Sequence, residues 1–205
     1  MTVERVEVLV EEPSAEAALR LVLPRILGNT SFEVYPHSCK EELLMRLPDR
    51  LRGYASWLPD DWRIVVLVDR DEDDCAELKE RLEAIAREAG LATKTKPKRS
   101  RYAVVNHLAI EELEAWYFGD WQAVLQAYPR VNPNVPSQAR YRSPDAIKGG
   151  TWEAFERILK QAGYFKSGLR KIEAARAVAN HMDPGRNTSA SFQALRTALE
   201  EMMPS

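Results

Sequence analysis

The chain has 205 residues, 29 Lys and Arg against 31 Asp and Glu, and a hydrophobic fraction of 45%. That is long and apolar enough to bury a full core, which excludes an intrinsically disordered chain. The formal net charge of −2 excludes adhesion to nucleic acid or an anionic membrane by bulk electrostatics, so a polyanion has to meet a local patch. Two cysteines without CxxC spacing, no apolar leader and no apolar run near about 20 residues point to a cytoplasmic chain with no membrane span.

Val3 to Val10 alternates polar and apolar residues and then runs continuously apolar, which predicts a strand entering a buried sheet. Pro13 and Ser14 mark a helix start, and Ala18, Leu19, Val22, Leu23 and Ile26 follow at helical spacing. Pro24 is expected to kink or shorten that helix. Phe32 to Tyr35 reads as a short strand. Glu41 to Trp57 reads as a helix with Leu44, Leu47 and Leu51 inward, interrupted by Pro48. Ile64 to Val68 is continuously apolar and belongs in the sheet centre. From Asp74 a helix turns Leu78, Leu82, Ile85 and Ala89 to one face. Tyr102 to Ile110 reads as another strand, followed by one helix through Leu113, Trp116, Tyr117, Trp121 and Leu125.

This alternation predicts an α/β domain over residues 1–130 with a mainly parallel sheet flanked by helices. Residues 131–150, rich in proline and ending in Gly-Gly, read as a linker or long loop. Residues 151–205 read as a small all-helical C-terminal subdomain, its last helix capped by Ser189 or Ser191.

The stretch DRDEDD puts Asp69, Asp71 and Asp73 at alternate positions just past a buried strand, the edge where open α/β sheets bind ligands. Carboxylates crowded into one turn repel unless they share a proton or a cation, which points to a hard divalent ion, Mg2+ or Mn2+, with oxygen ligands. Asp73 and Asp74 equally suit the cap of the following helix. An EF-hand is excluded because its sixth position requires glycine and here holds Asp74. An aspartyl-nucleophile phosphatase is excluded by Asp73 and by the late position of the strand. No phosphate-binding Gly-rich loop is present.

Glu11, closing the first strand in LVEE, followed by Asp69, Asp71 and Asp73 in VDRDEDD, resembles the Toprim domain of topoisomerases, primases and OLD-type nucleases. The segment IEELEAWYFGD, with Glu111, Glu112 and Glu114, is similar to a bacterial Toprim-like family of unknown function with an E-x-E-A-W-type signature. The resemblance covers Val3 to about Tyr128. It implies a Toprim-like sheet and a Mg2+- or Mn2+-dependent nuclease or related phosphodiester-processing enzyme acting on DNA or RNA. In that scheme Glu11, Asp69 and Asp71 are catalytic and, with Asp73, hold the metal. A metal that spreads charge and a separate carboxylate that moves a proton suit this division. Glu114 either completes the acidic cluster or begins a helix, Glu16 is either a further ligand or a dipole partner, and Glu111 and Glu112 read as structural. Glu12 stands where the family pattern places glycine. It either joins the metal site or restricts phosphate access, which keeps open a non-catalytic module that binds nucleic acid or a protein partner. Resemblance to families found beside ATPases, including in phage-defence loci, implies a separate ATPase subunit.

Lys94, Lys96, Lys98, Arg99 and Arg101 form the one dense basic cluster. If extended, its lysines share one side and can follow a phosphate backbone; a solvated edge guarded by lysines explains them equally well. Lys166, Arg170, Lys171 and Arg176 read mostly as a solvated face. His37 and Cys39 lack the further ligands of a zinc site, and Trp116, Tyr117 and Trp121 read as core.

Overall fold

The computed structural model describes residues 3–98, 101–110 and 112–203. Each strand-forming run becomes one strand of an all-parallel sheet: β1 (Arg5–Val10), β2 (Ser31–Pro36), β3 (Trp62–Asp69) and β4 (Val104–Ala109), in the order β2, β1, β3, β4. The connecting helices are α1 (Pro13–Leu27), α2 (Lys40–Ala55) and α3 (Cys75–Glu88). The chain steps from β1 outward to β2 and then crosses to β3 on the other side of β1, so the connections diverge between β1 and β3. Val10 lies beside Leu67 and Asp69 beside Ala109, which brings the residues that end β1 and β3 to one carboxyl-terminal edge. The expected α/β class, a parallel sheet flanked by helices with a helical C-terminal part, is the one observed.

Side-chain alternation along the strands sorts the core into two layers. Val6, Val8, Val10, Val65 and Leu67 pack towards α1 and the C-terminal helices, whereas Leu9, Ile64, Val66 and Val68 pack towards α2 and α3. Helix α1 runs through Pro24 to Leu27 and is not cut short. An interior proline costs about 3 kcal/mol. Burying Leu19, Val22, Leu23 and Leu27 stabilises by roughly 2 kcal/mol each, and Pro24 itself faces solvent. Packing therefore outweighs the missing hydrogen bond. Helix α2 continues through Pro48 with Leu43, Leu47 and Leu51 buried on the other layer.

The single helix expected after β4 is two, α4 (Glu114–Gly119) and α5 (Trp121–Ala127), separated by Asp120 in a non-helical conformation. The buried Asp120 carboxylate accepts from the N–H of Ala123 at 3.3 Å and of Asp183 at 2.8 Å, and from Arg186 Nε and Nη2 at 2.7 and 2.9 Å. It thus caps α5 and ties down a distant loop. Gly119 has no Cβ to collide with Asn187 and Ser189, which lie against the end of α4.

Residues 131–150 are a long loop with three short 3-10 turns, and they bury Val131, Val135, Tyr141 and Ile147. Helices α6 (Thr151–Gln161), α7 (Lys171–Ala179) and α8 (Ala190–Glu200) follow, with Ser189 as the cap of α8. This helical part shares one continuous core with α1. Arg25 of α1 donates to the carbonyls of Ala179, Asn180 and Met182 at the end of α7, at 2.8, 2.7 and 2.5 Å, satisfying acceptors that the helix leaves open.

Replacing Asp120 removes the shared acceptor of Arg186 and the Asp183 N–H and uncaps α5 together. Asp120→Ala is expected to lower the unfolding free energy by about 2 kcal/mol, read from the urea midpoint of the purified protein.

Candidate acidic site at the carboxyl edge of the sheet

Glu11 and Glu12 follow β1 directly and Asp69 is the last residue of β3, so the ends of two adjacent strands bring them to the same edge. The Asp69 N–H donates to Glu11 Oε2 at 3.2 Å, and the Leu113 N–H donates to Asp69 Oδ2 at 3.4 Å. Glu114, the first residue of α4, is fully buried, and its Oε2 has no hydrogen-bond partner among the described residues. The nearby Tyr117 hydroxyl is likewise buried without a partner.

Burial pushes the Glu11 carboxyl up to about 7; the Asp69 amide and Lys40 oppose that rise, and Asp71 and Glu12 add to it. Asp69 is held well above the usual carboxylate range by burial and then by Glu11, Glu114, Glu12 and Asp71. Glu11 and Asp69 therefore titrate as a pair. Burial raises Glu114 to about 7 against the pull of Lys171, and it keeps Tyr117 protonated, with Glu114 and Glu12 reinforcing it. Acids whose pKa is raised together mark a place short of positive charge.

Two lysines border this edge. Lys40, the first residue of α2, is buried and sets its Nζ 2.5 Å from Asp71 and 3.0 Å from Asp73, while donating to the Arg70 carbonyl at 3.2 Å. Just before it, His37 Nδ1 bonds the Val10 carbonyl at 2.8 Å, which pins the turn to β1. Lys171, the first residue of α7, lies 3.5 Å from Glu12 and 5.5 Å over the Trp152 ring. Burial weakens the hold of both lysines on their protons, but the surrounding carboxylates outweigh it and keep both charged. Each stands at a helix N-terminus, where the dipole disfavours a cation by roughly 0.3–1 kcal/mol. The acidic edge overrides that preference. Asp71, facing Lys40, has a left-handed backbone (φ 50°), which aspartate tolerates better than most residues.

The sequence-predicted acids thus divide. Asp69 and Glu114 form a buried centre with half-buried Glu11 beside them, whereas Asp71 and Asp73 turn to Lys40 and Glu12 turns to Lys171. Asp74 is the cap of α3, accepting from the N–H groups of Ala76 and Glu77 at 2.9 and 3.0 Å. Glu16 pairs with Arg20 at 2.8 Å. Glu112 caps α6, accepting from the Thr151 and Trp152 N–H groups at 2.9 Å and from the Thr151 hydroxyl at 2.7 Å. Glu111 lies outside the described residues.

The basic cluster is elsewhere. Lys94, Lys96, Lys98 and Arg101 lie between α3 and the start of β4, towards the amino-terminal edge of the sheet. The length of β3 puts that edge about 23 Å from Asp69. There Lys94 pairs with Glu201, Lys96 with Glu80 at 3.5 Å and Arg101 with Asp60 at 3.3 Å; Arg99 lies outside the described residues. The cations beside the acids, Lys40 and Lys171, are ones that sequence reasoning passed over or read as solvated. A lysine opening a helix was the available signal.

Glu11, Asp69 and Glu114 offer oxygen donors only, as Mg2+ or Mn2+ prefers. The orphaned Glu114 Oε2 is an acceptor that a cation or its water would satisfy. Among the described residues no group of three or more Asp, Glu, His or Cys side chains is arranged to hold a metal ion. Mg2+ characteristically takes one or two carboxylates and keeps several waters, and the adjacent Glu11 and Asp69 fit that demand.

Between the ordinary value of 4.5 and about 7, folded Glu114 holds a proton that the unfolded chain has released. Stability is therefore lost as pH rises through this window, by up to about 3 kcal/mol for such a shift. In Glu114→Gln the drop in unfolding free energy between about pH 5 and about pH 8 is expected to shrink by on the order of 2 kcal/mol, measured by urea denaturation without divalent ions.

The family model described as Domain of unknown function (DUF4276) matches residues 10–200. No curated protein and no solved structure matches the chain. Among the described residues no helix is long and apolar enough to cross a membrane. The matched span takes in Glu11, Asp69, Glu114, both lysines and every helix, and the chain belongs to the DUF4276 family.

Proposed function

We propose that this protein is a Mg2+- or Mn2+-dependent phosphodiester-processing enzyme, a nuclease or a close relative of one, acting on DNA or RNA. The observation that carries the reading is the gathering of half-buried Glu11 with buried Asp69 and Glu114 at the point where the connections of a parallel sheet diverge. The likeness of LVEE and VDRDEDD to the Toprim pattern supports it. Glu11 and Asp69 would hold the ion, with Glu114 as the third carboxylate of the centre. When bound, the ion supplies charge stabilisation at a phosphoryl oxygen and a lowered pKa for water. Glu11 stands beside Asp69, where a carboxylate can hold the ion or move a proton at a phosphodiester oxygen. Lys40 and Lys171 set positive charge on either side of the acids, where a phosphate meets it. Asp71 and Asp73 position Lys40. Energy-dependent action falls to a separate ATPase, because the sequence carries no phosphate-binding Gly-rich loop.

One observation favours a second reading, a non-catalytic module that binds nucleic acid or a protein partner. Lys40 on Asp71 and Asp73, and Lys171 on Glu12, already neutralise the rim of the site without any metal.

Calorimetric titration of Mg2+ and Mn2+, with cleavage assays on single- and double-stranded DNA and on RNA, separates the two. The wild type is expected to bind a divalent ion and cut. Asp69→Asn, which keeps the shape of the side chain and removes one carboxylate ligand, is expected to stay folded by circular dichroism and to cut at least about 100-fold more slowly. A wild type that takes up no divalent ion with or without nucleic acid, or an Asp69→Asn variant that cuts at full rate, overturns the enzyme reading.

A further inference from the structure

The amino-terminal edge of the sheet carries the opposite chemistry. Two hollows lie side by side there with Trp62 as a shared wall. One, of about 770 Å³, is lined by Leu58, Arg63, Lys98, Arg101 and Tyr102; the other, of about 460 Å³, by Arg5, Tyr35, Arg50 and Trp57. Trp57 is 55% exposed; it packs against Tyr54 at 5.4 Å and meets Trp62 edge-on at 5.7 Å, and it still presents more than half of its surface to solvent. Arg5 stacks on Trp62 at 4.9 Å, Arg50 on Tyr35 at 4.1 Å and Arg63 on Tyr102 at 5.4 Å.

Charge is segregated here against the trend of the chain. The hollows expose five cationic side chains, Arg5, Arg50, Arg63, Lys98 and Arg101, to two acids, Glu7 and Asp60, in a chain whose net charge is −2. Glu7 is buried and already bonded to Arg5 at 2.7 Å and to the Tyr54 hydroxyl at 2.8 Å. The Asp60 pair with Arg101 is well exposed, hence weak and exchangeable. Arg63 spends Nη1 on the carbonyls of Asp60 and Trp62, and its Nε is buried with no partner among the described residues.

We infer that this edge is a binding site for single-stranded nucleic acid, with a base stacking on the exposed ring of Trp57, its neighbours on the guanidinium planes of Arg5 and Arg63 that lie over Trp62 and Tyr102, and phosphates on Lys98 and Arg101. Aromatic faces accept any unpaired base, and a basic rim follows the backbone without reading sequence. A duplex keeps its bases stacked inside and cannot offer them to these planar faces. The site is separate from the acidic edge and stands whether or not that edge cuts.

Anisotropy of a labelled oligo(dT) strand and of the matching duplex, in EDTA so that the acidic edge is without divalent ions, tests this. The strand is expected to bind better than the duplex, and to weaken about tenfold or more as salt rises from about 50 to about 200 mM. Trp57→Ala and the pair Lys98→Glu with Arg101→Glu are each expected to weaken it about tenfold or more, with circular dichroism unchanged because these side chains are exposed. Asp69→Asn is expected to bind as the wild type does, and dTMP in modest excess to displace nothing. Absence of strand binding, a preference for duplex, indifference to both surface variants, or loss of binding in Asp69→Asn each overturns the inference. Displacement by dTMP also overturns it, making one hollow a pocket for a free nucleotide. Since cleavage is read separately with divalent ion present, failure here leaves the proposed enzyme standing, and the reverse holds too.

Discussion

Carboxylates gathered at the end of a buried parallel sheet cannot all ionise unless positive charge is brought to them, and much of the architecture answers that constraint. Strand β3 is buried from Ile64 to its end, so Asp69 there has little water to solvate it. Glu11 arrives beside it because β1 is its neighbour in register, and Glu114 arrives because the segment after β4 folds back into α4 at the same edge. The compensating charges come from the starts of two helices on opposite faces of the sheet, Lys40 on α2 and Lys171 on α7. Neither position is favourable for a lysine in an isolated helix. Both make sense only as answers to the acids they face.

The fold was legible in the sequence where burial is uniform. The continuous run Ile64 to Val68 could hardly be anything but a central strand, and Leu78, Leu82 and Ala89 mark the face that α3 and its end lay on it. The acidic edge was legible for a related reason: polar residues packed directly after such a run have no place in a core. Its internal division was not. Asp71 and Asp73 look equivalent to Asp69 in sequence, yet Asp69 is buried while the other two reach an exposed turn and a lysine some thirty positions earlier. The break at Asp120 was hidden because its cause, Arg186, lies 66 residues downstream. Pro24 misled because a local penalty was set against burial that only the assembled sheet supplies.

A basic stretch and an acidic stretch in one sequence invite the assumption that they face the same ligand. Here they mark opposite ends of the strands, since Lys98 and Arg101 precede β4 whereas Asp69 ends β3, its parallel neighbour. Direction along a parallel sheet, more than distance along the chain, decides which charges meet. A molecule arranged this way carries a permanent charge asymmetry along its strand axis. That asymmetry orients an approaching polyanion before any contact forms, with the cationic end leading.

The placement of α1 has a consequence for how the chain folds. By sequence α1 belongs to the α/β half, but its buried face, Leu19, Val22 and Leu23, is completed by α7 and its neighbours, and Arg25 closes the end of α7. The loop between the halves fills the same core through Tyr141 and Ile147. The two halves are therefore one cooperative unit, and a nick in that loop leaves them held together by their shared interior. Lys171 reaches Glu12 across this interface, so the acidic edge gains its second lysine only once the last third of the chain has folded onto the first.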